Sequence, residues 1–168
     1  MVAAAVERGL EYIAITEHGE DLTINGLSRE EVQAEAAEID RLRSAYPGLV
    51  ILHGAELNIG PEGELDYDDE FLAGFDWCVA SVHSHFDLPA AEQTDRLLNA
   101  IAHPAVNVIG HLTGRMIGRR PGIELDVPAI EGLPESCPKF EPIPRLPASR
   151  SDSTTAAAIP VAWPGRYS

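Results

Sequence analysis

Four segments of this chain place a histidine or an acid at the end of a short apolar run: Ile15-Thr16-Glu17-His18, Gly54-Ala55-Glu56, Ser81-Val82-His83 and Ile109-Gly110-His111. Imidazole and carboxylate are the ligands that zinc, manganese and iron take from proteins. Three such ligands with one open position make a catalytic site, where the ion lowers the pKa of bound water to about 7 and polarises a phosphoryl or carbonyl oxygen. A carboxylate can also bridge two ions, which suits Glu56. The set Glu56, His83 and His111 is therefore read as metal-ligating and catalytic, with His18 a further ligand and Glu17 a weaker candidate beside it. His85 is out of phase with its strand end and reads as a loop or substrate residue. His103, before Pro104 at a helix end, is expected to cap carbonyls. His53 and Cys78 lie inside apolar runs and read as packed residues, the thiol inert.

After His111 comes Leu112-Thr113-Gly114-Arg115-Met116-Ile117-Gly118-Arg119-Arg120-Pro121-Gly122. Three arginines lie within six residues, in a chain with only 12 Lys and Arg against 27 Asp and Glu. Guanidinium forks match phosphate oxygens. Arg115, Arg119 and Arg120 are candidates for holding an anionic substrate, Arg115 foremost because it lies nearest the ligand; pairing with Glu124 and Asp126 is the plainer alternative. A net charge of −15 argues against a broad basic face for nucleic acid, so phosphate contact must be local or carried by a metal. The sequence has no Walker loop, GxGxxG, nucleophile elbow or CxxC ribbon.

The elements that would position these residues alternate. Tyr12–Ile15, Leu49–Leu52, Trp77–Val82 and Val106–Ile109 have strand length and β-branched content. Between them, Ser28–Tyr46 opens with a capping box, Ser28 and Glu31, and carries Val32, Ala36, Ile39 and Leu42 on one face. Asp68–Gly74 and Pro89–Ala102 are further helices, the second with Leu97, Leu98 and Ile101 on its apolar side. Met1–Leu10 reads as the end of a helix capped by Gly9. This alternation predicts an α/β fold with a parallel sheet or barrel. The spacings of 27 and 28 residues from Glu56 to His83 to His111 each match one βα unit, and in a barrel all strand C-termini point to one face.

Composition changes near Ile130. Gly132–Ser168 holds seven prolines, no helical or strand period, and four bases against three acids; it is expected to be a disordered Pro/Ser/Ala-rich tail, native or out of frame. Two cysteines, Cys78 and Cys137, are too few for a disulfide framework. No apolar run is long enough to span a membrane, and the N-terminus lacks a secretory pattern, so the expected location is cytoplasmic.

Ala14–His18, Gly54–Ile59, Ala80–Ser84 and Gly110–Arg115 together resemble successive motifs of the PHP (polymerase and histidinol phosphatase) domain, over roughly residues 1–130. The stretch from Thr113 to Gly122 is similar to the subgroup fused to bacterial X-family DNA polymerases. The resemblance implies a distorted, TIM-like (β/α)7 barrel with a trinuclear zinc or manganese centre that hydrolyses phosphoesters, and in that subgroup a 3′–5′ exonuclease acting on DNA 3′ ends in DNA repair. It implies that Glu56 bridges, that His83 and His111 partner it at one metal, and that His18 serves a different metal. Glu17 stands where the family usually has Asp. The family's opening His-x-His and closing Asp-x-His are missing, so about four βα units and one complete metal site of three are expected. On this reading the chain is part of a polymerase, poorly stable alone. A histidinol-phosphatase-like small-molecule enzyme and a catalytically dead metal-binding fragment are the alternatives.

Overall fold

The computed structural model describes residues 1–131; the expected tail, 132–168, lies outside the described residues. Helix α1 (Val2–Glu7) leads into β1 (Tyr12–His18), followed by α2 (Arg29–Ala45), β2 (Val50–Asn58), α3 (Asp69–Leu72), β3 (Trp77–Ser81), α4 (Ala90–Ala102), β4 (Val108–Ile109) and α5 (Val127–Glu131). The strands form one parallel sheet in sequential order, β1-β2-β3-β4. The expected α/β alternation is present. The strand ends differ from those expected: β2 runs on through Glu56 to Asn58, and β4 shrinks to two residues.

The register shows which face is covered. Ile13 pairs with Ile51, Ala55 with Cys78, and Leu57 with Ala80, so these side chains share one face. There they meet the helices. Val2 and Ala5 of α1 and Ile39 of α2 pack with Leu49 and Ile51. Leu72 of α3 packs with Ala55, Leu57 and Cys78. Leu97 and Ala100 of α4 pack with Ala80 and Val82. Leu57, Ala80, Leu97 and Ala100 are wholly buried, and each buried leucine contributes about 2 kcal/mol. On the opposite face Tyr12 and Val108 stay exposed, and no described helix packs over them.

Local chemistry explains the helix starts. Ser28 has extended backbone, its hydroxyl accepts from the Glu31 amide at 3.3 Å, and the Glu31 carboxylate accepts from the Ser28 amide at 2.9 Å. Gly9, at φ 68, ends α1 in the left-handed conformation that glycine adopts without steric cost. Helix α4 departs from its apolar pattern. Leu97 and Ile101 are buried and Leu98 only half so, while Gln93, Thr94 and Arg96 are buried beside them.

Replacing Ser28 by Ala removes half of the capping box and should lower unfolding free energy by about 1 kcal/mol. Urea titration followed by circular dichroism measures it; no loss would mean that α2 does not depend on its cap.

Candidate metal centre

Parallel register aligns the candidate ligands. His18, the last residue of β1, is the pairing partner of Glu56, and Glu56 pairs with Val79 of β3. Ser81 follows Val79 at a two-residue step on that face, and His83 lies two residues past the end of β3. Beyond β4 the Gly110 amide still donates to the Ala80 carbonyl at 2.9 Å, extending the alignment by one residue. A side chain on Gly110 would run into the Ser81 hydroxyl. Glycine there lets the chain lie close against β3 and deliver His111 to the same rim.

The imidazoles converge on one carboxylate oxygen. Glu56 Oε1 lies 3.2 Å from His83 Nε2 and 3.1 Å from His111 Nε2. The His18 ring stands edge-on to His83 with centroids 5.0 Å apart, and His83 and His111 are 5.1 Å apart. One ligand atom from each of His18, Glu56 and His83 lies within 4.8 Å of the others. Spacing grouped His83 and His111 with Glu56, and the resemblance gave His18 to a different metal; in the structure His18 lies in the same cluster.

The donor set fits a divalent ion. Nδ1 of His18 and Nδ1 of His83 are buried without a hydrogen-bond partner among the described residues, and buried imidazole nitrogens in that condition are what a metal or water would satisfy. Burial pushes the His83 pKa down, outweighing Glu56, which raises it, so the ring favours the neutral, ligand-competent form. Burial raises the Glu56 pKa, but the Ser81 hydroxyl and the imidazoles of His18, His83 and His111 outweigh it and hold the carboxyl below its usual range.

Other expectations resolve differently. Glu17 pairs with Ala55 on the helix-covered face and lies near Glu35 of α2, away from His18. His103 is the C-cap of α4 as expected, its amide donating to the Ala100 carbonyl at 3.2 Å, but its ring turns elsewhere: Nε2 lies 3.1 Å from Asp69 and Nδ1 accepts from the Ala105 amide. His53 is buried as expected, 3.4 Å from Glu35, and burial pushes the Cys78 thiol up to about 11. Arg115 and Arg119 are exposed with no ion pair to Glu124, Asp126 or any other described acid. Arg120 is engaged: it donates twice to the Gly114 carbonyl, at 3.1 and 2.7 Å, and its guanidinium lies 3.4 Å from the Phe86 ring centroid.

Sequence reasoning missed the residues behind the cluster. The His83 amide donates to Asn58 Oδ1 at 3.3 Å, and the Asn58 amide donates to Asp66. Asp66 lies in the stretch between β2 and α3, which also carries Glu62 and Glu64, and is only 8% exposed. No sequence signal separated it from its acidic neighbours.

The chain is thus an α/β domain with a parallel sheet whose rim gathers a carboxylate and three imidazoles that could hold a metal ion. No family model matches the chain. Over 128 residues it is 43% identical to the DNA polymerase/3′-5′ exonuclease PolX of Bacillus subtilis, an alignment covering 76% of this chain and 22% of that protein. It is 36% identical over 112 residues to a probable phosphatase of Photobacterium profundum, covering 65% of this chain and 44% of the relative. With a probable phosphatase of Shewanella sediminis it shares 30% over 145 residues, 81% of this chain and 52% of the relative. The chain thus spans between about a fifth and a half of the length of these relatives. These likenesses bear out the resemblance drawn from the motifs: the chain is similar to a PHP-type domain of the kind in the C-terminal region of PolX.

Burial pushes the Asp66 carboxyl up to about 7, with the nearby Asp21 carboxylate adding to the rise against the Asn58 amide. In the unfolded chain the same group loses its proton near pH 4. The folded state therefore binds this proton more tightly, and its contribution to stability is present at low pH and lost as pH rises from about 4 to 7. Asp66→Asn keeps an acceptor for the Asn58 amide and cannot ionise. Relative to the wild type it should gain on the order of a few kcal/mol across that interval. Urea unfolding at pH 4.5, 6 and 8 tests this; a pH-independent difference between the two would refute it.

Proposed function

We propose that this chain is a metal-dependent phosphoesterase domain: about four βα units of a PHP-type barrel over residues 1–130, serving the 3′–5′ exonuclease activity of a bacterial X-family DNA polymerase. The observation that carries this is the meeting of His83 and His111 on one oxygen of Glu56, with His18 alongside. The relatives support it, since one is named as a polymerase with 3′-5′ exonuclease activity and others as probable phosphatases. Helices on one sheet face only, with strands in sequential order, support a barrel segment over a doubly wound sheet. Residues 132–168 are proposed to be a tail outside this domain.

In this reading Glu56, His18, His83 and His111 hold one divalent ion, zinc, manganese or iron. Such an ion, when bound, activates water and offsets charge developing on phosphoryl oxygens. His83, neutral by burial, presents its lone pair without first having to shed a proton. Arg115 and Arg119, free of acidic partners, bind and orient the phosphate, and Arg120 orders the loop that presents them. The substrate is proposed to be a DNA 3′ end, the partner the remainder of a polymerase chain, and the location cytoplasmic. No described helix is long and apolar enough to cross a membrane.

The phosphatase relatives favour a second reading, hydrolysis of a small phosphomonoester of the histidinol-phosphate class. Release of nucleotides from a labelled DNA 3′ end, in excess over turnover of p-nitrophenyl phosphate, is the expected outcome; the reverse preference selects the second reading. Under either reading, His83→Ala and Glu56→Gln should lower hydrolysis by more than ~100-fold and remove bound metal. Full metal stoichiometry in His83→Ala, measured by elemental analysis, would defeat the assignment. Metal bound with neither substrate turned over would leave a catalytically dead domain.

A further inference from the structure

The most unusual side chain away from the metal centre is Arg96 of α4. It is wholly buried. A buried guanidinium is costly unless its donors are used, and no carboxylate lies within ion-pair distance among the described residues. Its partners are backbone carbonyls: Nη1 donates to His85 at 3.2 Å, and Nη2 donates to Ile59 at 2.9 Å and to Ser84 at 3.2 Å. Gln93, one turn earlier and also wholly buried, donates through Nε2 to the same His85 carbonyl at 2.8 Å.

These carbonyls belong to two segments of the rim. Ile59 follows directly after β2, three residues past Glu56. Ser84 and His85 follow directly after His83. His85 has φ 53, the only positive φ of a non-glycine residue in the described chain. That conformation is strained for a residue with a side chain and persists only when neighbours hold it. Arg96 and Gln93 supply the hold, both of them on the carbonyl of the strained residue. A buried leucine would fill this space beside Leu97 and Ala100 without the desolvation cost of a charge. What it could not do is bind three carbonyls from two segments.

We propose that Arg96, assisted by Gln93, is a positioning residue that fixes His83 relative to Glu56 by tying together the chain segments that follow them. The proposal rests on the metal-centre reading above. It predicts that the guanidinium governs metal affinity through local geometry, separately from its share in global stability.

The test is titration of the full chain with zinc. Arg96→Ala should lower zinc affinity about 10–100-fold, the range found when groups that orient ligands are removed. Arg96→Lys should fall between, since a single ammonium cannot fork across three carbonyls. Guanidinium ion at low concentration should restore affinity in Arg96→Ala and do nothing for His83→Ala. Leu97→Ala, a core truncation one residue along, controls for lost stability and should bind zinc as the wild type does under folding conditions. Wild-type affinity in folded Arg96→Ala, or an equal loss in Leu97→Ala without guanidinium rescue, overturns the proposal. If Arg96→Ala does not fold, Gln93→Ala takes its place, with a smaller loss expected and wild-type affinity overturning. If the wild type binds no zinc, the metal reading fails by itself. The clamp is then judged by hydrogen exchange over residues 83–86, which should quicken in the variant and slow again with guanidinium; unchanged exchange overturns it.

Discussion

Two imidazoles share one carboxylate oxygen, Glu56 Oε1, and most of what is distinctive in this molecule serves that meeting. The three residues lie 27 and 55 positions apart in sequence, so only strand pairing can assemble them. Parallel pairing does so by superposition. His18 stands opposite Glu56, Val79 stands next in the row, and each successive βα unit returns the chain to the same rim. A slip of one residue in any pair would turn one ligand towards the helices.

Holding the rim in place falls to buried polar groups. Asp66 accepts from the Asn58 amide, and the Asn58 side chain accepts from the His83 amide. Arg96 and Gln93 collect the carbonyls beyond the two strands, and Gly110 removes the side chain that would push β4 away from Ser81. None of these groups belongs to the imidazole–carboxylate cluster, and Asp66, Gln93 and Arg96 take buried positions that apolar residues would occupy more cheaply. The core beneath, made by Leu57, Ala80 and Leu97, supplies the burial against which these costs are set.

The arginine loop after β4 divides its work. Arg120 is used internally, on the Gly114 carbonyl and the face of Phe86. Arg115 and Arg119 are left in solvent at the edge of a strongly acidic chain. Under the proposed function, a basic spot this small would draw a phosphate to one point, where a broad cationic face would instead bind a polyanion along its length.

Sequence alone determined the alternation of strands and helices, the Ser28 capping box and the rim positions of His18, Glu56, His83 and His111, because periodicity and residue type are local properties. It also set Gly9 at a helix end and His53 and Cys78 in the interior. Tertiary structure decided what depends on neighbours distant in the chain. It turned Glu17 to the far face, gave the His103 ring an aspartate and an amide as partners, brought His18 into the Glu56 cluster, and buried Asp66, Gln93 and Arg96. Polarity says that such a side chain needs hydrogen-bond partners, but their identity depends on which carbonyls and amides the fold brings within 3 Å or so.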